Sequence, residues 1–201
     1  MKLVESFTFI LISRFKRVQC SFLAYFENTK RMRIGRGTCI DSFASLKGGK
    51  IERAFLSVGR TVRIRRNCYI SATRGQININ DDVLIAHNSW IAGHGVINIG
   101  KNTLIGPNVV IVSSNHDLNP KHYPAMDAPE IEGVINIGEN CWVGANSTIV
   151  PDVTIGDGCI VAGGTVVTKD VPSNTLIAGN PAQVVKELNS PDTSSPYKLV
   201  N

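Results

Sequence analysis

The chain has 201 residues, 43% hydrophobic and 18% charged, which suffices for one domain with a real core and excludes disorder for its bulk. A formal charge of +5 suits anionic small molecules, acidic polysaccharide or a membrane surface. No nucleic-acid motif and no basic patch interleaved with aromatics accompanies that charge, so nucleic acid is not an expected partner.

The N-terminal stretch, residues 1–33, opens with an apolar run at 7–12 (FTFILI) that is far short of the ~20 residues a membrane span needs. No small-residue cleavage site follows it, so a signal peptide is not expected. Leu3, Phe7, Ile10, Leu11, Phe15, Val18, Phe22 and Tyr25 fall at helical spacing, flanked by Arg14, Lys16, Arg17, Lys30, Arg31 and Arg33. One or two amphipathic helices are expected here, capping whatever core follows or packing on a neighbouring subunit. A basic amphipathic segment also suits anionic lipid, so peripheral membrane contact through 1–33 is the alternative.

From Ile34 to Pro172 a period of six takes over. Ile34, Ile40 and Leu46 open three blocks, interrupted by SLKGGKIERAFL. Val58, Ile64 and Ile70 open the next three, then Ile79, Ile85 and Ile91, then Ile99, Ile105 and Ile111. Residues 115–134 (NHDLNPKHYPAMDAPEIEGV) leave the frame, and IGENCW, VGANST, IVPDVT, IGDGCI, VAGGTV and VTKDVP restore it. No α-helix buries a face with period six, whereas a short strand ending in a sharp turn does. The fifth residue of each block is small or β-branched and points inward with the opener of the next; Gly, Asn and Asp supply left-handed turn conformations. Hexapeptide repeats of this kind predict an all-β parallel β-helix, here of about six coils. Periodicity alone does not set its hand, although parallel crossovers are usually right-handed.

Residues 173–189 form a C-terminal extension, in which Gly179-Asn180-Pro181 is a turn and 182–188 a short helix. Residues 190–201, rich in Ser and Pro, are expected to be a disordered tail. Cys68, Cys141 and Cys159 occupy the small inward slot and are expected to be buried thiols in a reducing compartment, with neither disulfide nor metal. That points to the cytoplasm, or to the inner face of the membrane if the N-terminus binds it. Loops that leave a regular scaffold are where chemistry concentrates, and this one holds His116, Asp117 and His122.

The hexads, the loop opening Asn115-His116-Asp117, the TKDVP block and the ending IAGNPAQVVKEL together resemble the hexapeptide-repeat acetyltransferases over residues 58–188. The branch they are most similar to is that of the sugar and polysaccharide O-acetyltransferases. The resemblance implies a left-handed β-helix, a homotrimer, and acetyl-CoA as cosubstrate between adjacent prisms, with no metal. It implies O-acetylation of a sugar hydroxyl, in a bacterial capsule, O-antigen or other surface polysaccharide. His116 matches the family's general base, and Trp142 a tryptophan beside the acetyl group, near a backbone N–H that would steady the oxyanion. Ala145 stands where relatives often have Ser at the thioester end. Gly163 and Gly164 would pass the pantetheine arm, and Thr168, Lys169 and Lys186 would lie near the adenine and phosphates. On the acceptor side, Asn88 and His94 fall where relatives hold sugar hydroxyls, and Asp117 either orients His116 or touches the sugar.

Three other readings compete. One is N-acetylation of an amino sugar. Another is a zinc enzyme like the gamma-class carbonic anhydrases, with His87, His116 and His122 as ligands. The third is a β-helix that only binds a surface or partner.

Overall fold

The computed structural model describes residues 18–117 and 127–188, nearly all of them in short parallel strands and tight turns. The openers of the hexads build three stacked faces. On the first face Ile40, Ile64, Ile85, Ile105, Val143, Val161 and Ile177 lie in register. Leu46, Ile70, Ile91, Ile111, Ile149 and Val167 do so on the second. Ile34, Val58, Ile79, Ile99, Ile137 and Ile155 complete the third. Every one of these side chains is buried, at 0 to 7% exposure, in one continuous core. The result is a three-faced parallel solenoid whose sheets hold nine, seven and six strands.

Sharp corners join the faces, and residues with left-handed backbone stack there. Asn67, Asn88, Asn108, Asn146 and Gly164 mark the corner from first face to second, all with φ between 58° and 72°. Asp82, Asn102, Asn140, Gly158 and Asn174 mark the corner from third to first. These are the residue types for which positive φ costs least. The asparagines also bond along the stack: Asn67 Nδ2 donates to Asn88 Oδ1 at 3.1 Å and Asn108 to Asn146 at 3.0 Å. A second ladder runs up the third face, Asn78 to Asn98 at 2.9 Å and Asn98 to Asn136 at 2.8 Å.

Two helical expectations are corrected. Over 18–33 the chain does not form an amphipathic helix. It runs as strands Gln19–Cys20, Tyr25–Glu27 and Met32–Ile34, with one 3₁₀ turn at Thr29–Arg31. These strands complete a first coil, so the solenoid has about seven turns and not six. The open end of the stack is the physical reason. Gln19 N–H reaches Thr38 O at 2.9 Å and Tyr25 N–H reaches Ala44 O at 2.8 Å, so pairing overrides helical spacing. Residues 1–17, which carry the rest of that apolar stripe and of the membrane alternative, lie outside the described residues.

The second correction falls on 182–188, where strand Gln183–Glu187 pairs antiparallel with Thr175–Ala178 instead of forming a helix. Its Val184 and Val185 favour strands, and the last edge of the first face offers unpaired backbone groups. The expected tail at 190–201 also lies outside the described residues. Among the described residues no helix is long and apolar enough to cross a membrane.

Strand Arg63–Ile64 separates the two roles within two residues: Ile64 is fully buried and Arg63 is exposed. Ile64→Ala is expected to cost about 2–5 kcal/mol and Arg63→Ala no more than about 0.5 kcal/mol, read from urea unfolding midpoints at constant slope.

Candidate active site

The chain leaves the solenoid after Ser113 and rejoins it at Gly133, at the corner between the second and third faces. The exit is an antiparallel ribbon, with outgoing strand Ser114–His116 paired to return strand Glu130–Glu132. Gly133 N–H closes the base of the ribbon on Ser113 O at 2.8 Å, and Val96 N–H in the coil below reaches Gly133 O at 3.0 Å. The backbones are so close here that a Cβ on Gly95 would sit 1.9 Å from Gly133 O, so only glycine fits.

His116 ends the outgoing strand with an exposed side chain. Its Nδ1 lies 3.0 Å from Ala128 O, and its N–H donates to Asn115 Oδ1 at 2.9 Å. A carbonyl can only accept, so Nδ1 carries the proton. In the neutral ring Nε2 then holds a free lone pair, as a general base requires. Asp117 N–H donates to Pro129 O at 2.8 Å, which extends the ribbon by one rung. Asp117 therefore belongs to the same framework as His116, through its backbone.

His94 sits at the same corner one coil below. Burial first, and the Arg74 charge second, push its imidazole below the ordinary histidine value, against the pull of Glu132. Its Nδ1 touches a Glu130 carboxylate oxygen, and Glu132 makes an ion pair with Arg53. Glu130, Glu132, Arg53 and the Ala128 carbonyl join this candidate site in the structure and were not named from the sequence. The alternation Glu130-Ile131-Glu132 was the available signal, since acids two apart on a strand share a face. A backbone carbonyl has no sequence signature.

The other expected site residues lie elsewhere on the prism. Trp142 stands outward on the first face, 39% exposed, between Leu104 and Ile160. Its backbone N–H is engaged with Cys159 O at 2.9 Å and so is not available to an oxyanion. Ala145, Gly163 and Gly164 meet at the corner between first and second faces, where Gly164 N–H donates to Ala145 O at 2.8 Å. Gly164 has φ of +72° and open space where a Cβ would go. The N–H of Ala145 meets no acceptor among the described residues. Asn88 belongs to that corner too, tied to Asn67, and is not near His94's corner. Lys186 is exposed on the terminal strand of the first face, and Thr168 and Lys169 are exposed where the chain leaves the second face for the third.

One prism therefore gathers His94, His116, Asp117, Thr168 and Lys169 along one edge. Trp142 and Lys186 occupy the face opposite that edge, and Ala145, Gly163, Gly164 and Asn88 the neighbouring corner. A triangular prism cannot bring an edge onto its opposite face.

Residues 135–169 match the family model described as bacterial transferase hexapeptide (six repeats). The galactoside O-acetyltransferase of Escherichia coli K12 is 34% identical over 149 residues, which are 74% of this chain and 71% of that protein. The chain belongs to the hexapeptide-repeat acetyltransferases. A putative lipopolysaccharide biosynthesis O-acetyl transferase of the same organism, WbbJ, is 36% identical over 58% of this chain and 63% of its own length. Among solved structures, a hexapeptide-repeat acetyltransferase of Vibrio cholerae in complex with acetyl coenzyme A superposes with a TM-score of 0.60. It shares 29% identity, over 66% of this chain and 71% of that one.

In this acetyltransferase the thiols are poor nucleophiles. Cys141 and Cys159 are buried, and burial pushes the Cys141 thiol up to about 11 and raises Cys159 as well. Their Sγ atoms donate inward, to Gly156 O at 3.2 Å and Pro172 O at 3.0 Å. Of the three histidines of the zinc alternative, His87 and His116 stand at different corners and His122 lies outside the described residues. Among the described residues, no group of three or more His, Cys, Asp or Glu side chains is arranged to hold a metal ion. Cys141→Ala and Cys159→Ala are expected to keep turnover within a few-fold of wild type, and iodoacetamide at pH 8 to leave both thiols unlabelled in the native protein by mass spectrometry.

Proposed function

We propose that this acetyltransferase moves the acetyl group of acetyl-CoA onto a hydroxyl of a sugar, in a surface polysaccharide or its precursor, with His116 as general base. The observation that carries the reading is the bond from Nδ1 of His116 to Ala128 O, because it fixes the tautomer whose Nε2 accepts a proton. The sugar class rests on the names of its relatives, a galactoside and a lipopolysaccharide O-acetyltransferase. Both are O-acetyltransferases, which favours a hydroxyl over an amino acceptor. The donor rests on the acetyl coenzyme A bound to the Vibrio cholerae protein.

The chemistry is direct transfer. As the acceptor oxygen bonds to the thioester carbonyl carbon, its proton passes to Nε2 of His116. The tetrahedral oxyanion needs a donor, and the N–H of Ala145 is one that meets no acceptor among the described residues at that corner. Collapse breaks the C–S bond, and the departing thiolate takes the proton back from the imidazolium. Charges in and out then balance without a covalent enzyme intermediate.

Edge and opposite face can meet only between two chains, so the reading requires an oligomer, and the one it takes is a homotrimer of threefold symmetry. His116 of one subunit would work against Trp142, Ala145 and the glycines of its neighbour, with Lys169 and Lys186 beside the coenzyme phosphates.

His116→Ala is expected to lower kcat by about 10²–10⁴-fold with an unchanged circular dichroism spectrum; turnover within a few-fold of wild type would remove His116 from the mechanism. Light scattering is expected to report a trimer. Mixed trimers made by refolding His116→Ala with Trp142→Ala are expected to regain activity that neither variant has alone. No recovery from a verified mixture would mean that each site is built within one chain.

A further inference from the structure

The ribbon that carries His116 has little to hold it in place. It is a sheet of two short strands, paired only to each other. A two-stranded ribbon in water is marginal on its own. Its central Ile131 is 51% exposed and so does not anchor it to the core. Below its base at Gly133 and Ser113, two side-chain attachments tie the return strand to the solenoid among the described residues: Glu130 to His94 and Glu132 to Arg53. They are unequal. The Arg53 and Glu132 side chains are 56% and 33% exposed, against 23% and 33% for His94 and Glu130. Solvent screens the more exposed Arg53 pair, whereas the His94–Glu130 contact lies in a more shielded place.

Where that contact acts matters more than its strength. Glu130 is the direct cross-strand partner of His116, so the two side chains share one face of the ribbon. Ala128, whose carbonyl holds Nδ1 of His116, lies two residues before Glu130 on the same returning segment. Fixing Glu130 therefore fixes the Ala128 carbonyl. His94 is next to Gly95, where the backbones of neighbouring coils come so close that a Cβ would not fit. The groups that face the His94 imidazole are Glu130 and Glu132 from the return strand and Arg74 from the coil below.

We propose that Glu130, clamped by His94, is a positioning residue for His116: the clamp holds the return strand so that the Ala128 carbonyl keeps the base in its Nδ1–H tautomer. This rests on the reading of His116 as the base, and it assigns His94 a structural partner in its own chain. Neither residue touches the reacting atoms in this account.

The test uses the full-length protein and reads the imidazole directly. Long-range ¹H–¹⁵N correlation spectra distinguish Nδ1–H from Nε2–H rings, and the chain has only 4 histidines, so His116 is assigned by its loss in His116→Ala. Wild type is expected to show His116 as Nδ1–H. Glu130→Ala is expected to mix in the Nε2–H tautomer and to lower kcat by about 10-fold to 10²-fold, with KM for acetyl-CoA unchanged. Glu130→Gln, whose amide oxygen can still meet His94, should recover much of both. His94→Ala should reproduce the Glu130→Ala tautomer mixture, which guards against a local fault of one variant. A wild-type tautomer and wild-type kcat in both alanine variants would overturn the proposal while leaving His116 as the base. If His116→Ala stays active while the tautomer still shifts in Glu130→Ala, the clamp stands and the catalytic reading falls.

Discussion

Everything in this molecule depends on one constraint: each coil finds its partners only in the coils directly above and below it. Backbone N–H groups reach carbonyls of the next coil all along the stack, from Gln19 to Thr38 O up to Ala162 to Ile177 O. Four small polar residues in the fifth place of a hexad obey the same rule, with the buried Thr165 hydroxyl as an exception. Thr38 Oγ1 donates to Gly59 O at 2.8 Å, Ser89 Oγ to Gly106 O at 2.9 Å, Thr103 Oγ1 to Gly138 O at 2.9 Å and Ser147 Oγ to Ala162 O at 3.0 Å. These hydroxyls are buried, and a buried polar group without a partner is costly. The slot is therefore small for packing and able to donate for the sake of the turn carbonyl it meets. Serine, threonine and cysteine satisfy both demands, whereas valine satisfies only the first.

The same constraint explains what was legible in the sequence and what was not. Stacking puts identical residues at identical places, so Ile, Val and Leu recur at a fixed interval and the three faces can be read from residue 34 onward. At the ends of the stack a strand has a neighbour on one side only, and the repeat signal fades. Residues 18–33 carry no Gly or Asp at the first turns and show Phe22 and Tyr25 exposed, so their spacing looked helical. Residues 183–187 pair antiparallel, outside the repeat altogether. Both segments are strands because an open edge nearby supplies hydrogen-bond partners, and that edge is visible only once the coils are built.

The site was legible in proportion to how far it used side chains of the repeat. His116, Trp142, Ala145, Gly163 and Gly164 could be named because a break in register, or a family motif, marked them. Their spatial grouping could not, since Asn88 and His94 are six residues apart in sequence yet occupy different corners of one coil. What orients His116 was hidden for a plainer reason. Its partner is a main-chain carbonyl at Ala128, delivered by a ribbon whose return strand is identified only by pairing.

A rigid prism also limits where catalysis can be assembled. Along each face, outward positions repeat at strand spacing, ~4.8 Å apart, and point in parallel directions. Parallel side chains line a wall well but do not converge on a reacting atom. Convergence needs an element that departs from the stack, and the ribbon of Ser114–His116 and Glu130–Glu132 is such an element among the described residues. It departs at the edge opposite Trp142, so what it gains in freedom of placement it loses in reach to its own first face. The ribbon is thus positioned to act outward. In the proposed assembly a neighbouring copy of the same wall is the surface it addresses, and the flatness that makes the faces poor at catalysis would suit them to lining a long, extended ligand such as coenzyme A. In the proposed reading His116 then sits on a ribbon that regular stacking does not hold, and its orientation is secured by contacts outside the repeat. The His94–Glu130 contact and the Ala128 carbonyl have that character.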